Sequence, residues 1–136
     1  MIHDQLHLTR YYAAIDRGDL DEASSMLHPR VAFAIHLPAG VRRGSTREEL
    51  IGYLTGRGDV VRRHDALRAS ADGDLETVYG AVVDDGTRTT GHFLAGVRVD
   101  PDGLIAAYHV SFDTELFLLE GADSLTDSST DREVDA

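Results

Sequence analysis

Four side chains in this sequence are of types that move protons or hold a developing negative charge: Tyr11, Asp16, His36 and His64. His36 lies in the short apolar run 31–37, where alternation puts it with Ala32 and Ala34, opposite Val31, Phe33, Ile35 and Leu37. Small neighbours leave room for a ligand, and neutral imidazole is a suitable base near pH 7. Strand parity does not say which face is concave, so His36 is read either as a pocket base or as an outer-face histidine. Tyr11 can donate its hydroxyl to an enolate or alkoxide oxygen, or can fill core with that hydroxyl tied to backbone. Asp16 sits about 140° around the same helix, and a carboxylate two residues before Gly18 also suits a backbone cap. His64 follows Arg62-Arg63 at the start of a strand-like run.

Other chemistries find no support in the pattern. Cysteine is absent, which removes thiolate nucleophiles, disulfides and Cys-based metal sites. The 7 His are dispersed, with His3 and His7 alone standing four apart, so no metal site is expected. No phosphate loop, nucleophile elbow or dinucleotide fingerprint occurs, and cofactor-free chemistry is the expectation. A net charge of −11 with no basic cluster beyond Arg42-Arg43 and Arg62-Arg63 argues against nucleic-acid binding. No apolar run is long enough to span a membrane and no signal-like start is evident, so a cytoplasmic protein is expected. All 13 basic residues are Arg, which with abundant Ala, Gly and Asp fits a high-GC bacterial source.

The elements that must position these residues can be read from caps and turns. One domain over 1–119 is expected, followed by an acidic, disordered tail over 120–136 that is rich in Ser, Thr and Asp. Leu8, Tyr11, Tyr12 and Ile15 share a helical face that Gly18 ends. Asp19 with Glu22 opens a second helix whose apolar face is Ala23, Met26 and Leu27, stopping before Pro29. Thr46 with Glu49 opens a third, burying Leu50, Ile51 and Leu54 before Gly56. Asp72-Gly73, Asp85-Gly86 and Asp102-Gly103 then separate strand-like runs at 64–70, 75–84, 88–99 and 104–116, too closely spaced for anything but antiparallel pairing. Helices first and antiparallel strands later is an α+β pattern.

This order of elements resembles the nuclear transport factor 2-like superfamily, which includes ketosteroid isomerases, SnoaL-like polyketide cyclases, scytalone dehydratase and limonene epoxide hydrolase. The resemblance is carried by Arg10-Tyr11-Tyr12-Ala13-Ala14-Ile15-Asp16-Arg17-Gly18-Asp19-Leu20, by Leu27-His28-Pro29-Arg30-Val31, by Arg43-Gly44 and by the ending from Asp102-Gly103-Leu104-Ile105 to Phe112-Asp113. It implies a cone-shaped curved sheet packed on N-terminal helices and enclosing one pocket. It places Tyr11 where isomerases hold an oxyanion and His36 where they carry the proton-moving carboxylate. Their second oxyanion donor, an Asp, would fall near Ala95, which counts against steroid isomerisation. In the dehydratase branch an Asp late in the first helix orients a His on a later strand, and Asp16 and His64 stand at about those places. The Asp-Arg-Asp arrangement of epoxide opening has no clear match.

The resemblance further implies that Phe33, Tyr53, Tyr108 and Phe112 contact a ligand, with His109 turned outward; the core stripe of Phe93, Ala95 and Val97 turns His92 outward as well. The expected function is cofactor-independent acid/base catalysis of an isomerase, cyclase or dehydratase type on a small, mostly apolar carbonyl or polyketide-like molecule. A non-catalytic binding protein for a small apolar ligand, or a structural dimerisation domain, remains open beside it. A homodimer through the convex sheet face is expected.

Overall fold

Residues 5–57 and 61–119 are described by the computed structural model of the chain; the expected tail lies outside them. Helix α1, His7–Asp16, buries Leu8, Tyr11, Tyr12, Ala14 and Ile15, and Gly18 reverses the chain after it at φ 79°. Helix α2, Leu20–Ser25, starts where Asp19 Oδ1 accepts the Glu22 amide at 3.1 Å. Helix α3, Arg47–Thr55, carries a reciprocal capping box between Thr46 and Glu49.

One local expectation fails. Leu27 and Pro29 do not close α2; they already belong to strand β1, Leu27–Leu37. Pro29 is tolerated there because β1 loses register with its neighbour between Leu27 and Ala32, so its missing N–H interrupts no ladder position.

After β1 the chain makes β2, Gly40–Gly44, then, past α3, β3 (Arg62–Asp72), β4 (Leu75–Asp84), β5 (Arg88–Val99) and β6 (Ile105–Asp113). The three Asp-Gly signals mark the turns of this meander. At the second, both Asp85 (φ 56°) and Gly86 (φ 81°) are left-handed, a conformation that Asp and Gly tolerate better than other residues. The six strands form one open sheet in the order β2-β1-β6-β5-β4-β3. Pairings are antiparallel except β1 with β6, which is parallel, so the sheet is mixed and not wholly antiparallel as expected.

Period-two alternation decides the two faces. Ile35, Leu37, Val82, Phe93, Tyr108, Val110 and Phe112 face the helices, where α1 crosses β3, β4 and β5 and α3 lies on β1. Their alternates Ala34, His36, Leu94, His109 and Ser111 stand on the outer face. The result is an α+β fold whose curved sheet and helices leave a cavity between them. No helix among the described residues is long and apolar enough to cross a membrane.

Candidate active site

The cavity between sheet and helices measures ≈ 130 Å³. Its wall is mainly apolar, with Ile15 from α1, Leu50 and Leu54 from α3, and Val82, Phe93, Val110 and Phe112 from the sheet. The polar groups that reach it are Tyr11, Tyr12, Tyr53, Arg57, Arg62, His64 and Tyr108. Few convergent polar groups in an apolar concavity is the composition expected of a small-molecule site.

His64 enters this wall because β3 alternates: Arg62 and His64 pair with Asp84 and Val82 on the inner side, while Arg63 and Asp65 bind each other outside. Helix α1 ends beside it. Asp16 Oδ1 lies 2.7 Å from His64 Nδ1, and Asp16 Oδ2 accepts the His64 backbone N–H at 2.7 Å. One carboxylate therefore fixes both the strand and the ring. The imidazole face is stacked on Tyr12, with centroids 4.4 Å apart and planes 12° apart, and Phe93 meets it edge-on. Its Nε2 has no hydrogen-bond partner among the described residues. With Nδ1–H donated to a carboxylate, Nε2 is the basic nitrogen.

Three phenols meet above this pair. The hydroxyls of Tyr12 and Tyr108 are 2.6 Å apart, so one donates to the other and the second proton stays available. The Tyr11 hydroxyl is buried with no partner among the described residues, although its ring is held edge-on to Tyr108. An orphaned buried hydroxyl forfeits about 1–3 kcal/mol, so one on a residue that lines the cavity calls for an explanation. Burial, reinforced by the mutual proximity of the phenols, pushes the proton affinity of Tyr11 and Tyr108 well above the ordinary 10.0, and Tyr12 is likewise raised. All three remain O–H donors at neutral pH.

Of the residues read from sequence, Tyr11, His64, Tyr53, Tyr108 and Phe112 line the cavity, and Asp16 stands behind His64. His36 does not reach it. Its neighbours Ile35 and Leu37 take the inner face, leaving His36 outside, its ring 4.8 Å from that of His109. The more apolar parity of β1 turned inward, a signal already present in Phe33, Ile35 and Leu37. Phe33 is also displaced from the cavity. It packs at the β2–α3 corner, where a Cβ on Gly44 would come within 2.5 Å of its ring. His92 is outward, between Tyr79 and Phe117. No group of three or more His, Asp or Glu among the described residues is placed to hold a metal.

Sequence reasoning missed three contributors. Tyr12, read only as packing, carries the stack on His64 and the bond to Tyr108. Arg62 is visible two positions before His64, and binds Asp84 through two contacts of 2.9 and 3.2 Å. Arg57 lies four residues after Tyr53 and lines the same cavity.

No family sequence model matches the chain, and no curated protein matches it in sequence. Solved structures do match in three dimensions. A candidate ketosteroid isomerase from Kribbella flavida is similar with a TM-score of 0.67 at 17% identity, over 88% of this chain and 84% of that one. A candidate polyketide cyclase from Streptomyces antibioticus is similar with a TM-score of 0.66 at 19% identity, over 79% and 89%. An epoxide hydrolase from M. tuberculosis, of the LEH-like type, is similar with a TM-score of 0.65 at 20% identity, over 79% and 80%. At such identities the likeness speaks for architecture and not for substrate. The helices on one side, the open mixed sheet and the cavity between them are those of the nuclear transport factor 2-like fold, and this chain has that fold.

Proposed function

We propose that the chain is an acid/base enzyme that needs no cofactor and acts on a small carbonyl compound, with His64 moving the proton. The observation that carries this reading is the 2.7 Å contact of His64 Nδ1 with Asp16, beside an apolar cavity. Neutral His64 would take a proton from the carbon next to a carbonyl through Nε2. The imidazolium so formed is stabilised by the Asp16 carboxylate, which also holds the ring in orientation. Charge then develops on the carbonyl oxygen, and the Tyr11 O–H, which has no partner among the described residues, is a ready donor for it. Returning the proton to a different carbon is isomerisation; returning it to a leaving hydroxyl is dehydration; attack of the new carbanion on a second carbonyl is cyclisation. Likeness of fold to a candidate isomerase and a candidate cyclase agrees with this class.

Cavity size narrows the substrate. A cavity of about 150 Å³ accepts benzene, so ≈ 130 Å³ suits one six-membered ring or its branched equivalent. Fused polycyclic molecules would need side chains to move.

The test is deuterium uptake from D2O into a panel of one-ring ketones and enones, each with and without a carboxylate. The wild-type protein should accelerate exchange at the carbon beside the carbonyl, and His64→Ala should lose most of that acceleration. Equal exchange by wild type and His64→Ala would overturn the reading.

The outer sheet face supports a proposal of its own, a homodimer. Leu94 and Leu75 are 50% and 49% exposed there, around a shallow apolar depression that includes Ala32, Ala34 and Ala107. Leu94→Asp should shift a dimer to monomer in sedimentation; a monomeric wild type at high concentration would refute the interface.

A further inference from the structure

Resting on the site just described, we propose that Arg57 binds a carboxylate on the substrate, so that the ligand is a small ring-sized oxo acid and not a neutral ketone. Helix α3 ends at Gly56, and the Arg57 N–H bonds back to the Leu54 carbonyl at 3.3 Å. This turn places the half-buried Arg57 side chain on the cavity wall with Tyr53, Leu54, Tyr11 and Tyr108.

The other charges near the cavity are already matched. Arg62 is held by both oxygens of Asp84, and both oxygens of Asp16 are used by His64. The Arg57 guanidinium makes no hydrogen bond or ion pair with any described residue. Its one partner among them is the Tyr53 ring, whose centroid lies 6.0 Å from the guanidinium carbon. That is the outer limit of a cation–π contact, and a ring face does not neutralise a charge or satisfy five N–H donors.

The direction of its influence agrees. The positive charge of Arg57 opposes the upward push of burial at Tyr11, Tyr12 and Tyr108, so its field reaches the three hydroxyls that crown the cavity. A general attraction for anions does not explain such a residue, because the chain carries a net −11 and repels them at long range. A planar guanidinium with free donors fits a carboxylate in a two-point contact, whereas a lone carbonyl would satisfy only one donor direction. A substrate bearing both groups would set its carbonyl at Tyr11 and its carboxylate at Arg57, and the rigid spacing between those two would present one carbon–hydrogen bond to His64.

Benzoate and benzamide are suitable probes, equal in shape and size and different in charge. Their affinities should be measured by NMR titration against wild type, Arg57→Gln, Arg57→Lys and His64→Ala. Benzoate should bind wild type at least about tenfold more tightly than benzamide, the worth of one charge-assisted contact. Arg57→Gln should abolish that preference, an unchanged circular dichroism spectrum and urea midpoint certifying its fold; Arg57→Lys should keep part of it. His64→Ala should keep it fully. No benzoate preference in wild type, a preference surviving in Arg57→Gln, or one lost in His64→Ala instead, would overturn the assignment. A benzoate preference that follows Arg57 in a protein that fails the exchange assay would sink the acid/base reading alone.

Discussion

Asp16 and His64, 48 positions apart in the chain, are joined twice: Oδ1 to the ring Nδ1 and Oδ2 to the backbone N–H, each at 2.7 Å. A carboxylate that serves only to cap a helix end has no reason to reach across to an imidazole. One that serves an imidazole base must select its tautomer, and this double contact does so while also fixing the strand that carries the ring.

Asp16→Asn is the corresponding test. The amide is close in shape but cannot supply the charge that stabilises an imidazolium, and its NH2 group favours the wrong tautomer. Exchange activity should fall by about 10²–10⁴, the range associated with positioned acid/base groups. Nitrogen-15 NMR of His64 should show Nδ1 protonated and Nε2 bare in wild type, with that preference lost in Asp16→Asn. An unchanged His64 spectrum would mean that the contact does not control the ring.

Tyr11→Phe separates stability from chemistry. The hydroxyl it removes is buried and unpartnered, so the folded protein loses no internal hydrogen bond and is relieved of an unsatisfied group. Its unfolding free energy in urea should be unchanged or raised, by up to about 1 kcal/mol, while exchange activity drops tenfold or more. In Tyr108→Phe the bond to Tyr12 disappears, and stability should instead fall by about 1 kcal/mol. A Tyr11→Phe protein that is destabilised as much as Tyr108→Phe would show that the Tyr11 hydroxyl has a structural partner.

Local signals made much of this legible in advance. Asp19 and Thr46 cap their helices and the Asp-Gly pairs turn the meander, while the cavity positions of Tyr11, Tyr108 and Phe112 follow from the family resemblance. What escaped is non-local. The parallel β1–β6 pair joins strands separated by about half the chain and has no turn to announce it. The placement of His36 depended on which side of β1 faced the helices, and the Ala neighbours that suggested ligand space line the outer depression instead. Arg57 carries no periodic signature, because its place on the cavity wall depends on a turn after the helix end.

The buried phenols predict an alkaline limit. Burial holds Tyr11, Tyr12 and Tyr108 protonated above 10.0, whereas an unfolded chain releases those protons near that value. The unfolded state therefore binds fewer protons above pH 10, and stability that is fully present below that pH is lost as pH rises. Each phenol accounts for about 1.4 kcal/mol per pH unit, so three give about 4 kcal/mol per unit. Against a total stability of roughly 5–15 kcal/mol, unfolding is expected within a few units above pH 10. Ultraviolet titration should show these tyrosines ionising together with loss of circular dichroism, and Tyr12→Phe should flatten the pH slope by about a third. Ionisation of all three in a still-folded protein near pH 10 would contradict their burial.

The start of α1 yields the last prediction. Its N-cap position is Leu6, which has no side-chain acceptor, yet the helix carries Tyr11, Tyr12 and Asp16 into the site and must be held in register. Glu76 on β4, buried to 6% exposure, supplies what Leu6 cannot: Oε1 accepts the Leu8 N–H at 3.0 Å and Oε2 lies 2.8 Å from His7 Nδ1. A carboxylate at a helix N-terminus also matches the positive end of the helix dipole. Glu76→Ala should therefore cost about 1–3 kcal/mol in urea unfolding, and Glu76→Gln less, since the amide oxygen still accepts from Leu8. His7→Ala should cost less than Glu76→Ala, because the His7 side chain is 31% exposed and its loss leaves the bond to Leu8 in place. Benzamide affinity should fall in step with stability in Glu76→Ala, because the helix that loses its anchor forms one wall of the cavity. A Glu76→Ala protein as stable as wild type would show that α1 is held by its apolar face alone.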